Sequence, residues 1–360
     1  MRKVLVVGLT SGIGGVETFI YSIKKYMPKD IKIDYLVHQN INKKYENEIL
    51  SNNSKIYKVT GIKENFLKYM KNIFDFYKNN NYDVVHLNEC DSKMFLYALP
   101  LLFYRKPKLI VHCHSSKTNN ILIHSILNFF QNKRADIKVA CSNSAFEFMF
   151  GLKEEKNIVH NGVDLEEFKF SKISRLNKRK EFKVLENETL FISVARFTEE
   201  KNHEKIIDIF YNYNNIFKKS KLILIGIGPL QNKIKEKVNN LKISDKVLFL
   251  NTRTDISEIM SAADVFLLPS TFEGLPIVSI EAQACSLPFF ASKNVSSEIA
   301  VTNLVHFIDL NESSKNWAIK INKILSKTID RESDSFHDDI RKNEYDIKSV
   351  ANKIEKMYRE

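Results

Sequence analysis

Short apolar runs alternate along the chain with longer stretches in which apolar positions recur every three or four residues. The runs at 4–9, 33–37, 56–59, 84–87, 109–113 and 137–141 are apolar almost throughout. That is the pattern of strands buried on both faces. Helical periodicity fills the intervals at 16–26, 64–78 and 120–133. Strands that alternate with helices predict a parallel sheet covered on both sides, an α/β fold. After a polar, strandless stretch the pattern restarts, with strands at 190–194, 222–225, 247–250, 265–268 and 289–291. Helices are predicted at 203–217, 230–240, 256–262 and 276–285, and from 311 the chain reads as helical to its end. The expected organisation is a first domain at 1–168, a basic linker at 169–186, a second domain at 187–342 and a terminal helix at 343–360. Two doubly wound sheets present two sets of strand ends, and the cleft between such domains is the expected site.

Composition changes this picture little. The chain has 360 residues, 44% of them hydrophobic and 27% charged, which is ordinary for a globular protein of two domains. Four scattered cysteines without a Cys-x-x-Cys pair argue for a reducing compartment and against a disulfide framework or zinc knuckle. The apolar run near the start is too short for a signal-peptide core, and no stretch approaches the roughly 20 apolar residues of a membrane helix. These features lead to the expectation of a cytoplasmic protein.

Charge does change the picture. The net charge is +12, and residues 1–168 carry 24 Lys and Arg against 17 Asp and Glu. The stretch 169–183 carries seven basic residues and one acidic, whereas 184–360 carries 24 basic and 25 acidic. A basic front half suits phosphate-rich partners: nucleic acid, anionic lipid or sugar phosphates. Abundant lysine and asparagine also fit a plain compositional bias.

The candidate chemistry lies in two loops. Gly8, Gly12 and Gly14 follow the first strand and suggest a dehydrogenase cofactor loop, with Tyr104 and Lys108 in a Tyr-x-x-x-Lys spacing. Pro107 inside that pair excludes the continuous helix it would need. Grouped instead as Gly14-Gly15-Val16-Glu17, the loop lets backbone approach a ligand at a helix start, or it is simply a tight strand-to-helix turn. The second loop lies in "PSTFEGLPIVSIEA", 269–282. Glu273 falls at the carboxyl end of a buried strand, Pro276 in the first turn of a helix, and Glu281 about two turns farther along. The helix start leaves N–H groups near Leu275, Pro276, Ile277 and Val278 for an anion, and carboxylates accept from sugar hydroxyls. The combination suits a nucleotide sugar.

The Glu-x7-Glu spacing of Glu273 and Glu281, with Gly274-Leu275-Pro276 between, resembles the family-4 retaining glycosyltransferases of the GT-B fold. Four more segments match in order: Gly14-Gly15-Val16-Glu17, "HNGVDLEEF" at 160–168, "SVARFTEEKN" with Arg196 and Lys201, and "LIGIGPL" with Gly226 and Gly228. The resemblance spans roughly residues 4–310. It implies two Rossmann-like domains facing each other across a cleft, with the terminal helix packed back on the first. It implies a nucleotide diphosphate sugar as donor, a UDP-sugar foremost, with no cofactor and no metal. Arg196 and Lys201 would hold the diphosphate, Glu281 the ribose, Glu273 and His114 the donor sugar. Backbone around Gly274, Leu275, Pro276, Ile277 and Val278 would bind phosphate; Gly14, Gly15 and Gly228 would line the donor, and Arg253 and Thr254 the base. Ala195, Ile227, Ser286, Ser296 and Ser297 depart from the family pattern. A narrower likeness, through 291–310, is to the bacterial exopolysaccharide and capsule subgroup.

This reading implies a lipid-linked saccharide acceptor and an anionic membrane surface as partners, with the protein peripheral on the inner face of the cell membrane. Competing readings are an epimerase of the same fold, a non-catalytic partner subunit and a nucleic-acid binder; the last lacks basic-aromatic interleaving, so no nucleic acid is expected. Ile121, Leu122, Ile126, Phe129 and Phe130, followed by Lys133 and Arg134, form an amphipathic stripe. Two fates are open to it: an interfacial helix, or the more ordinary core-facing one.

Overall fold

The computed structural model describes every residue except 13, 44, 45, 47, 48, 60, 63, 105, 119 and 328, and the backbone but not the side chain of 52. The chain forms two compact units: Met1–Gly162 together with Glu344–Glu360, and Val163–Asn343.

The first unit is a six-stranded parallel sheet: β1 (Arg2–Val7), β2 (Ile31–Val37), β3 (Ile56–Lys58), β4 (Val84–Glu89), β5 (Lys108–Cys113) and β6 (Ile137–Ala140), ordered β3-β2-β1-β4-β5-β6. Helices α1 (Gly15–Tyr26), α2 (Phe66–Asn79), α3 (Ile121–Arg134) and α4 (Asn143–Phe150) connect them. One core lies beneath α2 and α4, built on Leu5, Val85, Leu87, Val111 and Phe146, all fully buried. The other lies beneath α1, where Val4, Val84, Ile110 and Val139 meet Phe19, Ile20 and Ile23. Residues of one strand therefore feed both cores alternately, which is why the runs read as continuously apolar.

The second unit repeats the plan with β7 (Thr189–Val194), β8 (Ser220–Ile225), β9 (Val247–Leu250), β10 (Val265–Leu268), β11 (Phe289–Ser292) and β12 (Val305–Ile308), ordered β12-β11-β10-β7-β8-β9. Its helices are α5 (Lys172–Glu181), α6 (His203–Phe217), α7 (Gln231–Asn240), α8 (Ile256–Ala262), α9 (Ile277–Ala284), α10 (Ser314–Leu325) and α11 (Ser335–Lys342). The last helix, α12 (Ile347–Arg359), belongs to the first unit. There Ile347, Val350, Ile354 and Tyr358 join the core beneath α1. A Cβ on Gly162 would stand 2.7 Å from the Ile347 Cα, so only glycine lets the helix seat.

Three expectations change. The predicted linker is helix α5, part of the second unit: Ser171 caps it, and Lys172, Arg175, Lys178 and Arg179 pair with carboxylates of that unit. The first unit ends at 162 rather than 168. Strand β12, helix α4 and a 3₁₀ segment, Ser92–Leu102, were not anticipated. β12 is a half-exposed edge strand carrying His306, so it shows no continuous apolar run.

Candidate functional site

In the first unit, β4 and β5 carry a column of imidazoles. His86 and His112 stack at 5.5 Å between centroids and 5° between planes, and His112 and His114 follow at 4.2 Å. Phe19 of α1 lies 4.9 Å from the second and third rings. His114 stands at the strand's carboxyl end, with Nδ1 2.9 Å from the Asn161 side-chain amide and Nε2 3.1 Å from that of Asn88. Burial pushes His114 down to about 4, although the Asn161 contact works the other way. The ring is therefore neutral at pH 7, with one nitrogen donating and the other accepting, so one of the two amides turns its NH2 rather than its oxygen to the ring.

The neighbouring glycine loop is shaped by close approach. Gly8 has φ +128°, and a Cβ there would meet the Asn88 carbonyl oxygen at 2.3 Å. Gly14 caps α1, and a Cβ on it would crowd the Glu17 carboxylate at 2.9 Å; a Cβ on Gly15 would meet nothing within 4 Å. Glu17 is buried, and Thr10 Oγ1 donates to it at 2.5 Å. The carboxylate thus braces the loop from inside and leaves the Gly15 side open.

In the second unit the loops after β7, β8 and β10 come together. A Cβ on Gly226 would lie 2.1 Å from the Ala195 carbonyl oxygen, and one on Gly228 2.5 Å from that of Phe197. The two glycines let the β7 and β8 loops lie backbone to backbone, and Phe197 N donates to the Ile227 carbonyl at 3.1 Å. Asn202, in the left-handed conformation, caps α6 and reaches across to the Pro269 carbonyl at 3.1 Å. That clamp brings Lys201 to Glu273, and their side chains form a short, mostly buried ion pair. Ser270 Oγ also donates to Glu273, at 3.3 Å. Arg196 is exposed on the same loop. Burial works to raise Glu200, but the Thr198 hydroxyl, a backbone N–H, Lys201 and Arg196 outweigh it and hold this carboxylate below its usual range.

Helix α9 begins at Ile277 with Pro276 at the capping position, one residue earlier than expected for the proline, and no side chain caps it. Its first N–H groups lie beside Gly274 and Leu275 on the loop from Glu273, and Glu281 lies on its second turn. Gln283 is buried and fixes the far side, donating to the Ser279 and Ile299 carbonyls at 2.8 Å and accepting from Thr302.

The structure pairs Lys201 with Glu273, whose loop continues through Gly274, Leu275 and Pro276 into Ile277 and Val278 of α9; Arg196 acts on Glu200 of the same β7 loop, and Gly228 packs against Phe197 of that loop. Arg253 is engaged elsewhere: it forms a fork with Asp255 at 2.8 and 2.6 Å and reaches Glu181 at 3.2 Å, with Thr254 exposed beside it. Among the departures from the family pattern, Ala195, Ser296 and Ser297 adopt conformations open to any residue, whereas Ser286 has φ +53°, where glycine would relieve strain. Sequence reasoning passed over Asn88, Asn161, Glu200 and His203. The last is buried at the start of α6, stacked on Phe197 at 4.1 Å, with neither ring nitrogen hydrogen-bonded. Asn161 and Glu200 lie inside quoted motifs and could have been found there; Asn88 and His203 show no local signal.

Comparison with known proteins gives consistent matches. A model described as "Glycosyl transferases group 1" covers residues 174–346, and one described as "Glycosyltransferase Family 4" covers 13–167. The Bacillus subtilis (strain 168) protein EpsF, named as a glycosyltransferase, is 30% identical over 319 residues, 85% of this chain and 83% of its own. An Escherichia coli protein named UDP-Gal:alpha-D-GlcNAc-diphosphoundecaprenol alpha-1,3-galactosyltransferase is 27% identical over 255 residues, 66% of this chain and 65% of its own. Among solved structures, Anabaena Alr3699/HepE in complex with UDP-glucose superposes with a TM-score of 0.80 at 19% identity, over 99% of both chains. The lipopolysaccharide glycosyltransferase WaaG does so with a TM-score of 0.73 at 16% identity, over 99% of both chains. Both sheets thus have the GT-B plan.

Proposed function

For a chain that belongs to the glycosyltransferases, with a group 1 region and a family 4 region, we propose transfer of a sugar from a nucleotide diphosphate sugar to an acceptor hydroxyl with retained anomeric configuration. The observation that carries the proposal is the group at the strand ends of the second unit: the Lys201–Glu273 pair, exposed Arg196, and the uncapped start of α9 with Glu281 on the same helix.

The residues divide the work. Lys201 supplies a point charge and Arg196 a planar fork to the departing diphosphate, and the α9 N–H groups add their dipole. Stabilising charge as it develops on the leaving group is the main catalytic term. Those cations and amides supply the positive charge that a metal would otherwise bring, so the reaction is proposed to be metal-independent. Glu273, held by Lys201 and Ser270, accepts from donor-sugar hydroxyls, and Glu281 from the ribose. His114, neutral between two amides, hydrogen-bonds without adding charge.

A UDP-sugar donor fits the HepE complex, and a lipid-linked saccharide acceptor fits the name of the Escherichia coli relative. Exopolysaccharide or capsule synthesis at the inner membrane face is the setting this implies. The first unit's basic surplus, 28 Lys and Arg against 18 Asp and Glu, suits that anionic surface.

Calorimetric titration with UDP-sugars tests the donor site. Glu281→Ala should weaken binding by about 1–3 kcal/mol, the cost of leaving buried hydroxyls unpaired; wild-type affinity in that variant would overturn the assignment. Proton NMR of the product should show the donor's anomeric configuration, and turnover should survive EDTA. Inversion, or EDTA inactivation that manganese reverses, would refute those two points.

A further inference from the structure

Helix α3 is built inside out. Its buried residues are His124, Gln131 and Arg134. Ile121, Leu122, Ile126 and Phe129 keep between 55% and 75% of their surface in solvent, and Ile123 and Phe130 are exposed as well. The polar underside is tied down by hydrogen bonds. Gln131 donates to buried Glu89 at 2.5 Å, His124 Nδ1 meets the Ser92 hydroxyl at 3.1 Å, and Asn128 donates to the Met149 carbonyl at 2.9 Å. Arg134 donates to the carbonyls of Leu101, Tyr104 and Pro107. Those bonds fix the helix with its apolar face outward, and the Arg134 staple holds the loop of exposed Phe103 at the same end.

A contiguous apolar face of this kind marks an interaction site on a globular protein. The surrounding charge says with what. Residues 101–138 carry seven Lys and Arg and one Asp, and that Asp136 is paired with Arg134. Lys133 extends along the helix with its ammonium 4.2 Å from the Phe129 ring centre, so its stem covers apolar surface while its charge stays at the rim. Beside the helix an open groove of about 670 Å³ is lined by Lys133 together with Lys138, which pairs with Glu154 at 2.8 Å, so Lys133 is the cation it offers a phosphate headgroup. A second copy docking by two-fold symmetry would press two basic rims together, which disfavours a dimer.

We propose that α3 is an interfacial helix that lies in the headgroup region of an anionic bilayer, with Leu122, Ile126 and Phe129 in the acyl boundary and Lys133 at the lipid phosphates. This resolves the two readings of the stripe in favour of the interface, and it deepens the membrane-face reading above by naming the element that makes contact.

Co-sedimentation with phosphatidylglycerol/phosphatidylcholine vesicles, and with phosphatidylcholine alone, tests it. Wild type should pellet with the anionic vesicles, less so as salt rises and poorly with neutral ones. Ile126→Ser/Phe129→Ser should lower partitioning by at least about tenfold, given the apolar area removed. Phe129→Trp should be quenched by brominated acyl chains, against the buried background of Trp317, the only other tryptophan. Undiminished binding in the double variant, or no quenching, overturns the proposal. So does a wild-type dimer that the double variant dissolves while vesicles bind neither. UDP-sugar binding, measured on the same proteins, separates the two readings: its absence refutes the transfer, and failure on vesicles alone refutes only the helix.

Discussion

Helices α3 and α5 reverse each other. The apolar residues of α3 face solvent and its polar ones are buried, whereas α5, the most basic stretch of the chain, spends its charge inside the second unit. Arg179 is buried and donates to the Ala262, Leu185 and Glu188 carbonyls and to Asp264. Arg175 reaches Asp264 at 2.7 Å, and Lys178 pairs with Asp255, Glu181 and Glu258. Lys169 and Lys172 pair with Asp334 and Glu332. The residue class of a helix does not decide which way it faces; the partners its neighbours provide do. The net charge near 169–183 therefore overstates what α5 offers an anionic surface, and the attraction falls to the first unit.

Mutations can press on this contrast. Arg179→Ala should cost about 1–3 kcal/mol, because it removes the donor to the Glu188 carbonyl and one of the two arginines on Asp264, which keeps Arg175; a loss below about 0.5 kcal/mol, read from the urea midpoint of Trp317 fluorescence, would make α5 a surface element after all. Beneath α3 the corresponding buried group is Glu89 at the end of β4, whose carboxyl burial raises well above the usual carboxylate range. The folded state keeps Glu89 protonated, so its contribution is intact below about pH 4.3 and is lost as pH rises towards the folded value. Glu89→Gln should match wild type in acid and gain on it by about 1.4 kcal/mol per pH unit above that; parallel stability curves by circular dichroism would contradict the assignment. Gln131→Ala removes the donor to Glu89 and should cost about 1–3 kcal/mol. Ile126→Ser, on the outer face, should shift stability by no more than about 0.5 kcal/mol. A cost as large as that of Gln131→Ala would mean that the outer face packs against protein.

The same contrast explains what could be read from the sequence. Strands announce themselves as short apolar runs, and eleven of them were placed, β3 and β9 included although these are only partly buried. The periodicity of α3 was legible too, but not its orientation, because that depends on Glu89, Ser92 and Met149 from distant segments. Helix α5 read as a linker because five cations in ten residues and few apolar ones leave no stripe; its order comes from Asp264 and from carbonyls some 80 residues away. At the site, Lys201 and Glu273 were visible as members of an ordered set of motifs, and the structure joins them. Asn88 and His203 were not, because a buried polar side chain shows only in three dimensions. Arg253 illustrates the opposite limit: its motif position is clear, yet its guanidinium is taken up by Asp255 and Glu181.

The seating of α12 bears on how the molecule is made. The polypeptide leaves the first unit at Gly162 and re-enters it at Glu344, so the second unit is continuous and the first is not. Tyr358 supplies the hydroxyl 2.7 Å from His86, at the base of the imidazole column, and its carbonyl accepts from Arg2 at 2.7 Å. During synthesis on the ribosome the unit that begins first must finish last. Its sheet waits with an open apolar flank over α1 while the whole of the second unit emerges and folds, and the His114 end of the column gains its full support only once residue 358 has cleared the exit tunnel.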